Sequence, residues 1–161
     1  MIRVSLRTYG CQMNEYDSEL VRSILTGAGY VFTENELEAD IVMMNTCSVR
    51  ENAHRKVYGQ VHDIRHRHKD KPVLIGILGC MATGLRKELL EDKNLALDFV
   101  VGPDSYKRLP EILKNLIERR AESVEQREVE AVVPSLRSKL YAPGSIGYDV
   151  TLSEFETYSD V

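Results

Sequence analysis

The segment "IVMMNTC" (residues 41–47) carries the strongest fold signal in the chain. Four apolar side chains follow one another from Ile41 to Met44. A continuous apolar run of this kind is typical of a strand that is buried on both faces, as in a parallel sheet covered by helices. The strand then ends in Asn45 and Thr46, and Cys47 follows directly. We therefore predict a central parallel strand whose carboxyl end carries a thiol.

Strand and helix patterns alternate on both sides of this segment. Apolar segments predict five strands, at residues 2–9, 30–33, 41–45, 72–79 and 97–102. Apolar stripes at helical spacing predict helices after Asn14, over 50–68, from Met81, and over 110–120 after a turn at 104–108. This alternation predicts an α/β fold, a flavodoxin/Rossmann-like three-layer sandwich built on a five-stranded parallel sheet.

The core-facing residues of these helices follow from their spacing. In the first helix, Asn14 is expected as the N-cap, with Asp17 at the third helical position and Gly29 after the last turn. The predicted inward-facing residues, helix by helix, are Leu20, Val21, Ile24, Leu25 and Ala28; Ala53, Val57, Val61, Ile64 and His68; Leu85, Leu89 and Leu90; and Ile112, Leu113, Leu116 and Ile117.

Two segments fit this pattern less well. The link "ENELEAD" (34–40) is short for a parallel crossover, which usually takes a dozen residues or more. From residue 121 the apolar pattern dissolves, so we expect a first domain at 1–120 and a linker or arm at 121–161. Within that arm, "YDVTLSEF" (148–155) alternates weakly and could add an edge strand.

Composition and charge bound the function. The apolar fraction is 43% and the charged fraction 29%. No run approaches membrane-spanning length and no signal peptide is visible, so we expect a cytoplasmic protein with no membrane partner. Residues 1–120 carry 18 Lys and Arg against 17 Asp and Glu, while residues 121–161 carry 3 against 8. Neither part is suited to holding a nucleic acid by bulk charge alone.

All three cysteines share one kind of position, immediately after a predicted strand. Cys11 follows strand one, Cys47 follows strand three and Cys80 follows strand four. Ligands of open α/β sheets bind at the carboxyl ends of the strands. Adjacent strands lie about 4.8 Å apart, so the strand order 2-1-3-4-5 would bring these three loops together. The order 3-2-1-4-5 would separate them, so we predict the strand order 2-1-3-4-5.

Several kinds of site could use such thiols, and each cysteine could also be a small buried apolar residue. Structural zinc usually takes four ligands at short local spacings, which are absent, and a nucleophile needs a nearby base, which no histidine provides. Thiolates also hold iron–sulfur clusters, and three cysteines on a cubane leave one iron open.

Neighbouring residues suit such a site. Gly10 and Gly79 remove bulk beside two cysteines, and the helices that follow aim backbone N–H groups at the edge of the sheet. Asn45 and Thr46 are candidate hydrogen-bond donors to cluster sulfurs. Asn14, Asp17 and Ser18 are candidates for this surrounding layer or for helix capping alone.

A second metal site is a weaker hypothesis. His62 and His66 lie one helical turn apart beside Asp63. Residues 50–71 also carry seven Lys and Arg against three Asp and Glu, which could contact an RNA backbone. A solvated basic helix face explains both features more simply.

Three motifs resemble one known family. "TYGCQMNEYDSE" (8–19), "ADIVMMNTCSVRENAHRKV" (39–57) and "IGILGCMA" (75–82) are similar to the N-terminal domain of the radical-SAM methylthiotransferases. The resemblance covers residues 1 to about 110, with a weaker likeness in "FETYSDV" (155–161). Gln12-Met13 and Ser48-Val49-Arg50 resemble the branch that acts on tRNA, more than the branch that modifies an aspartate of ribosomal protein S12.

The resemblance implies a cofactor, a substrate and a partner. It implies that Cys11, Cys47 and Cys80 ligate an auxiliary 4Fe–4S cluster, whose open iron carries the sulfur to be transferred. The substrate would be C2 of N6-isopentenyladenosine in the tRNA anticodon stem-loop. Complete family members add a radical-SAM domain with a second 4Fe–4S cluster, S-adenosylmethionine and a Cys-x3-Cys-x2-Cys triplet. This chain has no such triplet, so we expect the chain alone to be inactive and residues 121–161 to lead towards that domain.

Three hypotheses therefore stand after the sequence: the cluster domain of a tRNA methylthiotransferase, the same domain of the ribosomal-protein branch, and a metal-free flavodoxin-like binding module.

Overall fold

The computed structural model describes residues 1–47 and 51–130, with side chains omitted at 51–54, 86 and 124–130. The strand expected at 148–155 and the motif at 155–161 lie outside the described residues. The elements in chain order are β1 (Arg3–Tyr9), α1 (Gln12–Gly27), β2 (Val31–Phe32), a 3-10 helix (Glu36–Glu38), β3 (Ile41–Thr46), α2 (Glu51–Arg67), β4 (Leu74–Leu78), α3 (Cys80–Gly84), α4 (Arg86–Glu91), β5 (Phe99–Val101), a second 3-10 helix (Pro103–Arg108) and α5 (Leu109–Glu130).

The sheet confirms the predicted topology. Its five strands are all parallel and lie in the order β2-β1-β3-β4-β5. β1 ends beside β3, with Tyr9 opposite Thr46, and β3 ends beside β4, with Asn45 opposite Leu78. The three strands that precede the cysteines are therefore neighbours and end level with one another.

Helices cover both faces of this sheet, and alternate residues of each strand fill one of two cores. On one face, Val4, Met43 and Phe99 pack with α1, the second 3-10 helix and α5. On the other face, Met44 and Ile75 pack with α2, α3 and α4. β3 is buried over its whole length, as its apolar run predicts. The three-layer α/β sandwich is confirmed.

Two helical predictions are wrong in extent. The single helix expected from Met81 is two short helices, α3 and α4, because the helical conformation is interrupted at Leu85, directly after Gly84. The helix expected to stop near residue 120 continues to Glu130, into the segment predicted as a linker. Its last residues, 121–130, lack an apolar stripe but are rich in good helix formers. Pro110 is accommodated in the first turn, where its missing N–H costs no helical hydrogen bond.

The first helix begins earlier than predicted, and part of its expected stripe is wrong. Cys11 rather than Asn14 occupies the N-cap position, and Asn14 is buried within the first turn. Leu20 is 43% exposed and Ala28 is also exposed, whereas Val21 and Leu25 are fully buried. The helix therefore packs apolar residues at its carboxyl half and polar residues near the strand ends. In α2, the inward positions of Val57, Val61, Ile64 and His68 are confirmed, and the side chain of Ala53 is outside the described set.

The short link between β2 and β3 passes β1 without an α-helix. Its 3-10 helix is held by Glu36, which is 5% exposed and forms ion pairs with Arg7 (2.5 Å) and Arg67 (3.1 Å). His68 Nε2 also lies 3.0 Å from the Glu36 carbonyl oxygen. These contacts replace the apolar packing that a crossover helix would supply. Within the described residues, no helix is both long and apolar enough to cross a membrane.

Candidate metal centre

The structure places all three cysteines at the carboxyl edge of the sheet. Cys11 occupies the N-cap position of α1 two residues after β1, Cys47 directly follows β3, and Cys80 begins α3 two residues after β4. All three are free thiols, with Cys11 and Cys80 exposed and Cys47 partly exposed. They are not filling the core, so the reading of these residues as small buried apolar side chains is wrong.

Two close approaches fix the turns that carry these thiols. Gly10 has φ +140°, and a Cβ built there would lie 3.1 Å from Cys47 Cβ. Gly79 has φ +94°, and a Cβ there would overlap Asn45 Oδ1 and lie 2.7 Å from the Thr46 carbonyl oxygen. Both positions therefore favour glycine for its backbone conformation and for the space it leaves.

The thiols also lie within electrostatic reach of one another. Burial raises the pKa of Cys80, and negative charge at Cys47, Asp17 and Cys11 raises it further. A bound cation would offset this repulsion, because thiolate ligands are stabilised by the metal that they bind. The dipole of α1, whose N-terminus lies at this edge, also favours an anionic group here.

A buried amide pair joins the β1–α1 turn to the end of β3. Asn14 Nδ2 donates to Asn45 Oδ1 at 3.1 Å. Asn45 Nδ2 donates to the Asn14 carbonyl oxygen at 2.9 Å and to Ser18 Oγ at 3.0 Å. Ser18 Oγ in turn lies 2.7 Å from Thr8 Oγ1 on β1. This asparagine network locks the turn after Cys11 to the strand that precedes Cys47.

Two further contacts join these elements to the turns that carry Cys11 and Cys80. Cys11 Sγ lies 3.5 Å from Asn14 Oδ1, so the amide contacts one thiol directly. Thr46 Oγ1 donates to Met81 Sδ at 3.2 Å, which ties β3 to α3 beside Cys80. In this structure Asn45 and Thr46 hydrogen-bond within the protein, and their role as donors to cluster sulfurs stays a prediction.

Tyr106 and Asp17 form a further group at this edge. Tyr106 lies in the second 3-10 helix, is 2% exposed, and directs its hydroxyl towards the Asp17 carboxyl and the Gly79 N–H. Burial raises the pKa of Asp17, while the facing Tyr106 hydroxyl acts in the opposite direction. Burial, followed by the negative charge of Asp17, also raises the pKa of Tyr106, so its hydroxyl stays protonated.

Tyr106 was not predicted from the sequence, whereas Ser18 was a candidate for the layer around the thiols or for helix capping alone. The available signal was positional, because Tyr106 follows β5 at the same edge as the cysteines. A lone tyrosine after a strand is otherwise indistinguishable from core packing. The role of Ser18 depends on its hydrogen bond with Asn45, which lies 27 residues away in the chain, and no local sequence pattern reports that contact.

The second metal hypothesis gains nothing from the structure. His62 and His66 are both exposed on α2. Among the described residues, no group of three or more His, Cys, Asp and Glu side chains is arranged to hold a single metal ion. The basic helix is partly neutralised, since Arg65 pairs with Asp98 at 2.8 Å and Arg67 with Asp63 at 2.5 Å.

The residues at the edge do fit a cluster better than a single ion. In an iron–sulfur cubane each thiolate binds a different iron, so the ligand sulfurs stand farther apart than around one zinc. Accessible thiols on three separate turns match that requirement. The two glycine turns let the loops of Cys11 and Cys80 approach the end of β3 closely, because no side chain at Gly10 or Gly79 holds them apart.

The chain is similar in sequence to several named proteins, two of which carry the same name. A tRNA-2-methylthio-N(6)-dimethylallyladenosine synthase of Chloroherpeton thalassium is 47% identical over 112 residues, covering 69% of this chain and 25% of the relative. A protein with the same name from Azobacteroides pseudotrichonymphae is 39% identical over 162 residues, covering 97% and 35%. A CDK5RAP1-like protein of Caenorhabditis elegans is 41% identical over 154 residues, covering 96% and 23%. The chain thus spans about a quarter to a third of the length of these relatives.

A family match covers the part of the chain that builds the site. Residues 3–102 match the family described as Uncharacterized protein family UPF0004. This segment includes the five strands and all three cysteines. Because the match extends over more than half of the chain, the protein belongs to the UPF0004 family.

Proposed function

We propose that this protein is the cluster-binding domain of a tRNA methylthiotransferase, and that Cys11, Cys47 and Cys80 ligate an auxiliary 4Fe–4S cluster. The observation that carries the proposal is the meeting of three accessible thiols at one edge of the sheet. The names of the relatives support the same activity and the same substrate class.

The chain's own residues have separate tasks in this proposal. The three cysteines supply the ligands, and Gly10 and Gly79 allow the turns beside Cys11 and Cys80 to pack closely against the end of β3. When bound, the cluster supplies an iron without a protein ligand, on which sulfur for transfer can be held. The asparagine network keeps the ligand turns in place.

The names of the relatives support a tRNA substrate, and the other details of the proposal follow from the resemblance of the three sequence motifs. The proposed reaction adds a methylthio group to C2 of N6-isopentenyladenosine beside the tRNA anticodon. As the resemblance implies, the domain would act with a radical-SAM domain that holds a second 4Fe–4S cluster and S-adenosylmethionine, since the three cysteines of this chain are all ligands of the first cluster in this proposal. A cytoplasmic location is part of the same proposal.

The test is anaerobic reconstitution of the chain with ferrous iron and sulfide. We expect about four iron and four sulfide per wild-type chain, with the absorbance of a cubane. Cys11→Ala, Cys47→Ala and Cys80→Ala should each lose most of the cluster. Ser23→Ala is a matched control, because it removes one γ atom from an exposed position on α1.

The results separate the three hypotheses. A wild-type chain that assembles no cluster would favour the metal-free binding module. Retention of a full cluster by any cysteine variant would exclude that cysteine as a ligand. The two enzyme branches are separated by assaying the domain, joined to a radical-SAM domain, on tRNA lacking the methylthio group and on ribosomal protein S12.

A further inference from the structure

The Tyr106 hydroxyl is a buried polar group without a hydrogen-bond partner among the described residues. The side chain is 2% exposed and packs in the core beneath α1 and α5. Its oxygen makes no hydrogen bond of ordinary geometry within the described residues. Phenylalanine would pack the same core without leaving a buried hydroxyl unsatisfied, so the hydroxyl is a cost unless something binds it.

The surroundings of the hydroxyl show which bond is missing. The Gly79 N–H faces the hydroxyl oxygen, and this N–H is itself a donor. The hydroxyl hydrogen therefore needs an acceptor. The Asp17 carboxyl lies nearby but accepts no hydrogen bond of ordinary geometry from this hydroxyl. After burial and the charge of Asp17, the charge of Cys80 also raises the pKa of Tyr106, so the Cys80 sulfur is the second acceptor near the hydroxyl.

We propose that the Tyr106 hydroxyl donates a hydrogen bond to the Cys80 sulfur when that sulfur ligates the cluster, and so raises the reduction potential of the cluster. The inference rests on the proposed cluster ligation. Reduction adds negative charge to the cluster sulfurs, so a donor to a ligand sulfur stabilises the reduced state. Tyr106 is then a positioning residue that sets a property of the cofactor.

The experiment compares wild type, Tyr106→Phe and Tyr30→Phe in the 161-residue chain. Tyr30 is a matched control, because it is a buried tyrosine at the opposite, amino end of the sheet. Each chain is reconstituted anaerobically with iron and sulfide, and the reduction potential is measured by a titration followed by electron paramagnetic resonance. Resonance Raman spectra report the stretching of the iron–thiolate bonds.

We expect Tyr106→Phe to assemble the cluster, to lower its potential and to raise the iron–thiolate stretching frequency, since a donor to the thiolate weakens that bond. Tyr30→Phe should change neither. Without the cluster, Tyr106→Phe should melt at the same or a higher temperature than wild type, because it removes an unsatisfied buried hydroxyl.

Each contrary result has a separate meaning. Cluster assembly with an unchanged potential and unchanged stretching in Tyr106→Phe would overturn the Tyr106 inference and leave the cluster proposal standing. A lower melting temperature of the cluster-free variant would also overturn it, because the hydroxyl would then be bonded within the protein. Absence of a cluster in wild type would overturn both proposals.

Discussion

Asn45→Ala tests whether the asparagine network holds the site together. Asn45 is fully buried and makes three hydrogen bonds, two through Nδ2 and one through Oδ1. A typical hydrogen bond contributes about 1 kcal/mol net, and partners left buried without a bond cost more. Ser18 keeps its contact with Thr8, which limits the loss. We expect Asn45→Ala to lower the free energy of unfolding by about 3 kcal/mol.

The assay is urea unfolding of the reduced, cluster-free chain followed by circular dichroism. With a slope of about 2 kcal/mol per molar urea, the midpoint should fall by about 1.5 M. Asn94→Ala is the matched control, because Asn94 is exposed and its replacement should stay within about 0.5 kcal/mol of wild type. Asn14→Ala completes a double-mutant cycle, in which the coupling with Asn45 should be about 1 kcal/mol for their shared side-chain bond.

A loss below about 1 kcal/mol in Asn45→Ala, at an unchanged urea slope, would refute this reasoning. It would mean that water reaches these amides and replaces their bonds. A coupling near zero would show that the Asn14 and Asn45 side chains act independently, which contradicts the 3.1 Å contact between them.

Three further predictions concern the turn at Gly79 and the titration of Asp40 and Tyr58. Gly79→Ala should cost about 3 kcal/mol in urea unfolding, through its positive φ and the crowding of the added methyl. Burial alone would raise the pKa of Asp40, but bonds from a backbone N–H and from Lys71 hold it below the ordinary value. Its stabilising contribution is therefore complete above the unfolded pKa of about 3.9 and lost as the pH falls through the folded value, so the stability gap between wild type and Asp40→Asn should close in acid. A hydrogen bond to Asp92, followed by burial, raises the pKa of Tyr58 to about 12. The late part of the tyrosinate absorbance titration should include one ionisation, that of Tyr58, which moves towards about 10 in Asp92→Asn while the other tyrosines are unchanged. The stability that Tyr58 contributes should be complete below about 10 and lost as the pH rises from about 10 to about 12.

The apolar patterns in the sequence were enough to predict the sheet and most residues of both cores, with Leu20 and Ala28 as exceptions. Strands fully buried on both faces leave an unambiguous apolar run, and the strand ends then place the thiols by topology alone. The start of α1 was predicted wrongly because an asparagine before a helix usually caps it. Here the partner of Asn14 is Asn45, which is 31 residues away in the chain, and no local pattern reports that contact.

The other errors have similar causes. Gly84 marks the break between α3 and α4, but a single glycine is tolerated in many helices. The extension of α5 to Glu130 depends on helix propensity without an apolar stripe, whereas the prediction followed the stripe. The short link after β2 could not be explained from the sequence, because it is held by buried ion pairs of Glu36 with residues of β1 and α2 that are distant in the chain.

The polar groups buried in this fold concentrate where the three thiols meet. The asparagine network has its bonds complete within the protein, so it can fix the backbone turns before any cofactor arrives. Tyr106 differs, because its hydroxyl is buried at the same edge with no bond among the described residues. Buried polar side chains whose hydrogen bonds are already made within the protein suit a structural role. A buried polar side chain without a hydrogen-bond partner suits a role in the cluster-bound chain. Replacing Asn45 should therefore reduce the stability of the cluster-free chain, whereas replacing Tyr106 should leave that stability intact and change the bound cluster.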